Sequence, residues 1–169
     1  MLTETQGISN MSISPRKVFT ITIFITAIGI GYYSMNAAPV LSDDSHTYHG
    51  DTEWRTDIDD AQQLAAEQEK PLLIYFWTTW CTYCEDYNAN AYSDPAVLKQ
   101  LDEFVLLAVN LEDNSQQAGA LQQQYSANYP PQHVAVTPDG EVLVEINGYA
   151  ETDAFQGYLD EALEEWERQ

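Results

Sequence analysis

Pro71-Leu72-Leu73-Ile74-Tyr75-Phe76-Trp77-Thr78-Thr79-Trp80-Cys81-Thr82-Tyr83-Cys84 is the stretch whose reading decides the fold. Its first seven residues are an apolar, aromatic-rich run that opens on a proline and gives way to polar residues, the pattern of a buried strand. The only two cysteines of the chain follow, three apart, and after them a segment able to be helical as far as about Ala91. Cys81 therefore falls where a strand ends and a helix begins. There, unpaired N–H groups and the positive end of the helix dipole stabilise a thiolate. Cys84 lies one turn on, within reach of a disulfide with Cys81. Strand, turn, C-x-x-C and helix together form the arrangement of a dithiol redox site. A purely structural cross-link is the weaker reading, because closing so small a loop removes little chain entropy.

Working outward, the other elements alternate in type. From Asp57 to Glu69 the apolar positions Ile58, Ala61, Leu64 and Ala65 share one helical face, with acids at the start and Lys70-Pro71 at the end. Asp94-Pro95 reads as a break and restart, with Pro at the first helical position. Phe104–Val109 is a second continuous apolar run, the mark of a central parallel strand. Ser115–Tyr125 is Gln-rich but carries Ala118, Leu121 and Tyr125 at helical spacing. His133–Val136 and Glu141–Ile146 flank Thr137-Pro138-Asp139-Gly140, a hairpin turn. A last helix over Glu151–Arg168 presents Phe155, Tyr158, Leu159, Ala162, Leu163 and Trp166 on one side. With a weak first strand near Glu53-Trp54, the order predicts an α/β fold, a mixed sheet with helices on both faces.

The motif stretch resembles the thioredoxin superfamily, and within it the C-terminal thioredoxin-like domain of the DsbD thiol–disulfide interchange family. The likeness rests on Tyr75 to Cys84, on Tyr92-Ser93-Asp94-Pro95, on the Phe104–Asn110 strand and on Pro131 to Gly140. It covers roughly residues 52–167 and implies the thioredoxin fold. It also implies a thiol–disulfide oxidoreductase with no cofactor beyond its own Cys81–Cys84 disulfide. By position Cys81 is the attacking thiol and Cys84, deeper in the helix, the resolving one. Trp80, Thr82, Tyr83, Pro130 and Pro131 are expected to shape the substrate site, although Trp80 would read no differently as a core tryptophan. Pro131 stands where the family carries a cis-proline, which turns the backbone toward a substrate peptide. From the residues alone a rigid loop is the alternative for Pro130-Pro131, so the cis bond is what the resemblance implies.

Three departures from the family's pattern follow. The position six before the first cysteine, often an acid that takes the resolving thiol's proton, is Tyr75, a poor base at neutral pH. Glu85 and Asp86 are the other candidates for proton transfer. Glu85 also replaces the Lys frequent after the second cysteine. Pro130 has no N–H to offer a substrate. Acids near Cys81 disfavour its thiolate. His133 would oppose them if protonated and near, though its side chain has the core as an equal alternative. On balance a reductant is expected, near −200 to −280 mV and not the roughly −120 mV of a strong oxidase.

Charge and the N-terminal third bound the rest. The formal charge is −21, and 24 of the 27 acidic residues lie from Asp51 onward against four basic ones. Phosphate contacts need Lys and Arg, so nucleic acid is excluded as a partner. A solvated, salt-adapted surface is the preferred reading of this acidity, with a specific basic partner as the alternative. Residues 1–15 read as a polar, disordered cytoplasmic tail. Residues 16–35 read as a signal-anchor or transmembrane segment that begins with Arg16-Lys17, a signal peptide being the alternative. The positive N-side keeps the tail in the cytoplasm and exports the remainder. Residues 36–51 are a linker and 52–169 the thioredoxin-like domain. His46 and His49 with the two cysteines would make four zinc ligands, but a redox C-x-x-C needs no metal and none is expected. The partners expected are protein dithiols and disulfides and an upstream electron donor. A redox-inert interaction module, an oxidase and an isomerase are the rival functions.

Overall fold

The structure is a computed structural model that describes residues 52–169. The tail, the apolar segment, the linker with His46 and His49, and Asp51 lie outside the described residues. Helix α1 spans Ile58–Gln68, strand β1 Leu72–Trp77, helix α2 Thr82–Asp86, helix α3 Pro95–Leu101 and strand β2 Val105–Asn110. Helix α4 (Gln116–Gln124), strands β3 (Gln132–Val136) and β4 (Val142–Asn147) and helix α5 (Thr152–Glu167) complete the order.

The four strands form one sheet in the order β2-β1-β3-β4. β1 runs parallel to β2 and antiparallel to β3, and β3 and β4 form the antiparallel hairpin. The two apolar runs take the central positions because both of their faces are covered. On one side Leu73, Tyr75, Trp77, Leu106 and Ala108 meet the cysteine helix, α3 and α5. On the other Leu72, Ile74, Phe76, Leu107 and Val109 meet α1 and α4. Each fully buried Leu, Ile or Phe contributes about 1.5–3 kcal/mol, so β1 anchors both cores. The hairpin turn closes as its residues demand: Gly140 adopts φ 89°, and its N–H donates to the Thr137 carbonyl at 2.9 Å.

Helix starts follow their cap residues. The side chains of Asp57, Asp94 and Ser115 accept backbone N–H groups at the beginnings of α1, α3 and α4. The cysteine helix continues past Asp86 as a π-turn, Tyr87–Ala91, where the Tyr92 N–H donates to the Tyr87 carbonyl at 2.9 Å. That wide turn sets both Tyr87 and Tyr92 on the buried face. The stripe of α5 is narrower than its spacing implied: Phe155, Leu159 and Ala162 are buried, whereas Tyr158 is exposed.

One expectation fails. No strand forms at Glu53-Trp54. A single parallel bridge joins Arg55 to Leu107, its N–H donating to the Leu106 carbonyl at 2.9 Å. Trp54 is drawn down onto Tyr75 and Tyr92, with centroids 5.6 and 5.5 Å away. Arg55 pairs with Asp60 and Asp57 already caps α1, so the extended backbone ends after one residue.

Candidate active site

The sheet brings several loops to one end. β1, β2 and β4 finish there and β3 begins there, since Trp77 pairs with Asn110 and Gln132 with Asn147. Thr78–Cys81 leaves β1 at this end and Pro130-Pro131 enters β3. Gly148–Glu151 leaves β4, and the Gly148 N–H donates to the Pro131 carbonyl at 2.8 Å.

Cys81 is the N-cap of α2, and Cys81 and Cys84 form a disulfide. The Cys84 N–H donates to Cys81 Sγ at 3.1 Å, so the cap is a sulfur atom instead of the usual oxygen. Cys81 is 5% exposed and Cys84 0%, so the bond presents only its Cys81 edge to solvent. The Pro130–Pro131 peptide is cis, with Pro131 buried and Pro130 half-buried.

Trp80 and Tyr83 are 67% and 58% exposed, and Thr82 is exposed too. A core role for Trp80, which the sequence left open, is thereby excluded. The three candidates for proton transfer part company. Tyr75 lies in the same buried cluster as Cys84, Glu85 is on the surface and Asp86 is half-buried. Among the described residues no carboxylate is buried.

Beneath the disulfide the sheet face is aromatic. Tyr75 stacks on His133 with centroids 4.6 Å apart, and Tyr87 and Phe155 close the box at 4.6 and 4.9 Å from the imidazole. His133 Nε2 and the Tyr92 hydroxyl share a hydrogen bond of 2.6 Å, while Nδ1 has no hydrogen-bond partner. Burial pushes the imidazole pKa down to about 3, so His133 is neutral and lends the Cys81 thiolate no positive charge. The core alternative for His133 is the one realised.

Three residues escaped the sequence reading. Glu112 accepts both the Thr79 N–H (2.6 Å) and the Thr79 hydroxyl (2.7 Å), and these bonds hold its carboxyl below the usual range. The Tyr87 hydroxyl donates to the Gly148 carbonyl and accepts the Ala150 N–H at 3.0 Å, tying the cysteine helix to the loop after β4. Burial raises its pKa. Tyr149 stacks on Tyr83, centroids 5.7 Å apart and planes 17° from parallel. All three contacts span 33 or more residues or cross two loops, and no local pattern announces them.

Residues 53–138 match the family model described as thioredoxin-like. The thiol:disulfide interchange protein DsbD of Photorhabdus laumondii is 27% identical over 100 residues, 58% of this chain and 17% of that protein. For the DsbD of Vibrio vulnificus the figures are 35% over 63 residues, 36% of this chain and 11% of that protein. The chain thus spans less than a fifth of the length of these relatives. Among solved structures, the oxidised C-terminal domain of Neisseria meningitidis DsbD aligns with TM-score 0.56 and 22% identity, over 64% of this chain and 98% of that one. A putative disulphide-isomerase from Bacteroides thetaiotaomicron gives TM-score 0.60 and 21% identity, over 69% of this chain and 95% of that one. At such identities these two show a shared fold. The family match takes in more than half the chain and both cysteines, and the chain belongs to the thioredoxin-like family.

Proposed function

We propose that the chain is a membrane-tethered thiol–disulfide oxidoreductase that reduces disulfides of exported proteins through Cys81 and Cys84. The observation that carries this reading is the Cys81 sulfur at the cap of the cysteine helix, accepting the Cys84 N–H at 3.1 Å. That donor is in place to stabilise a thiolate when the pair is reduced.

In the proposed cycle the Cys81 thiolate attacks a substrate disulfide, forming a mixed disulfide and releasing one substrate thiolate. Cys84 then loses its proton and attacks Cys81 Sγ, which breaks the mixed disulfide and releases the second substrate thiolate. The oxidised pair regains two electrons from an upstream dithiol. With no buried carboxylate beneath it, Cys84 passes its proton to Asp86, Glu85 or solvent, and a neutral Tyr75 is the weaker acceptor. The exposed Trp80 and Tyr83 and the cis Pro130–Pro131 bond frame the substrate.

Tethering is supported by Arg16-Lys17 followed by the uncharged stretch to about Val40, which would leave the domain outside the cytoplasm. The relatives' name, thiol:disulfide interchange protein, supports the reaction class. Insulin reduction with dithiothreitol as electron source tests the reading. The wild-type chain accelerates precipitation of the insulin B chain, and a Cys81→Ser/Cys84→Ser variant does not. Equal rates for the two would instead favour a redox-inert module.

A further inference from the structure

The end of the molecule that carries the disulfide is both aromatic and uniformly acidic. Trp80, Tyr83 and Tyr129 are 67%, 58% and 83% exposed. Tyr149 lies flat against Tyr83 and edge-on to Tyr87, so the pair offers a broad ring face anchored to the core. Burial raises the Tyr149 hydroxyl pKa, and the Glu151 and Asp86 carboxylates lie near enough to push it the same way by charge. Glu112 and Asp113 follow β2 at the same end, and Glu85 neighbours Cys84.

Among the described residues no positive charge offsets these acids. Loops 78–81, 111–115, 129–131 and 148–151 contain no Lys or Arg. The four cations of the described residues are placed elsewhere. Arg55 pairs with Asp60, Lys70 donates to the Asp102 carbonyl, Lys99 sits in the last turn of α3, and Arg168 pairs with Glu165. An aromatic face rimmed by carboxylates attracts a guanidinium or ammonium group, which stacks on the ring while its charge meets the acids. An anionic peptide or an anionic lipid surface is repelled by the same field.

Resting on the exchange activity proposed above, we propose that this end is a docking surface for a basic polypeptide. The reacting cysteine of that partner is flanked by Arg or Lys, and one of these side chains lies on the Tyr83–Tyr149 stack beside Asp86 and Glu151. The surface thereby selects among protein disulfides by charge, before any bond is exchanged.

The test uses the full chain in a non-ionic detergent, reduced and freed of reductant, with three cyclic disulfide peptides. They share one loop and differ only in flanking Lys/Arg, Ser or Glu. At low salt the basic peptide is reduced about tenfold or more faster than the acidic one, with the neutral peptide between. At about 1 M salt, where the screening length is near 3 Å, the ratio falls to about twofold or less. Asp86→Asn/Glu151→Gln narrows the low-salt ratio by about threefold. Glu151 makes no capping bond to α5, so its replacement leaves the helix start intact. Asp139→Asn/Glu141→Gln removes the same charge at the opposite end of the sheet and leaves the ratio unchanged. Equal rates for the three peptides, or equal effects of the two double variants, overturn the docking surface while leaving the activity standing. No reduction of any peptide overturns the activity and the docking surface with it.

Discussion

The Tyr92 hydroxyl lies 2.6 Å from His133 Nε2 inside the aromatic box beneath the disulfide, and neither residue is accessible to solvent. The imidazole is neutral in the native state, with its pKa pushed down to about 3 from 6.5. The unfolded chain takes up this proton near pH 6.5, so it binds more protons than the native chain between the two values. Stability therefore falls as pH drops through that window, by at most about 1.4 kcal/mol per pH unit for one proton.

Between pH 7 and 5, where most carboxylates stay ionised, the free energy of unfolding is expected to fall by about 2 kcal/mol. Tyr92→Phe/His133→Phe removes donor and acceptor together, which costs little in itself. Denaturant unfolding of that variant is expected to show a nearly flat profile over the same range. An unchanged slope would place the titrating group elsewhere.

Glu112 governs the loop that carries Trp80. Its carboxylate accepts two bonds from Thr79, across 33 residues of sequence. Glu112→Ala is expected to speed amide hydrogen exchange at Thr79 about tenfold or more, with Glu112→Gln between it and wild type. The bonds hold the Glu112 pKa below 4.5, so their contribution is present at neutral pH and is lost as pH falls through the lowered value. Exchange at Thr79 that is the same in all three proteins would show the contact to be idle.

The parts legible in sequence are those with local chemistry. Leu72–Trp77 and Val105–Val109 announced strands covered on both faces, and Pro-Asp-Gly at 138–140 announced its hairpin. Cys81 and Cys84 marked a strand-to-helix junction. The weak first strand misled because Trp54 has β character, yet its ring is drawn into the core and Asp57 starts a helix at once. For His133 and Trp80 the sequence held two readings apiece, since orientation depends on sheet register and on packing across the fold. The Glu112–Thr79 and Tyr83–Tyr149 contacts join loops distant in the chain, so neither spacing nor propensity could point to them.

The proposed membrane topology rests on Arg16-Lys17. Protease added to intact spheroplasts is expected to digest the domain from about Asn36 onward, because the proposed topology leaves the positive end in the cytoplasm. Full protection behind a sealed membrane would reverse the proposed orientation.

The proposed direction of electron flow rests on charge. Cys81 has a helix N-terminus in its favour, but Glu85, Asp86 and Glu112 share its end of the molecule, and neutral His133 does not offset them. The thiolate is then less stabilised than in a strong oxidant, and the disulfide is relatively favoured. Equilibration against glutathione, followed by tryptophan fluorescence, is expected to give about −200 to −280 mV. A potential above about −150 mV would mark an oxidase.

The division of labour between the two cysteines is tested most directly by trapping. Cys81, at the cap, is the only one of the pair with an edge to solvent. Cells or extracts carrying Cys84→Ser are expected to accumulate the protein in mixed disulfides with client proteins, resolved by reductant on a gel. Cys81→Ser is expected to show none. Adducts on Cys81→Ser at the level of Cys84→Ser, or on neither variant, would contradict Cys81 as the attacking thiol of a disulfide reductase.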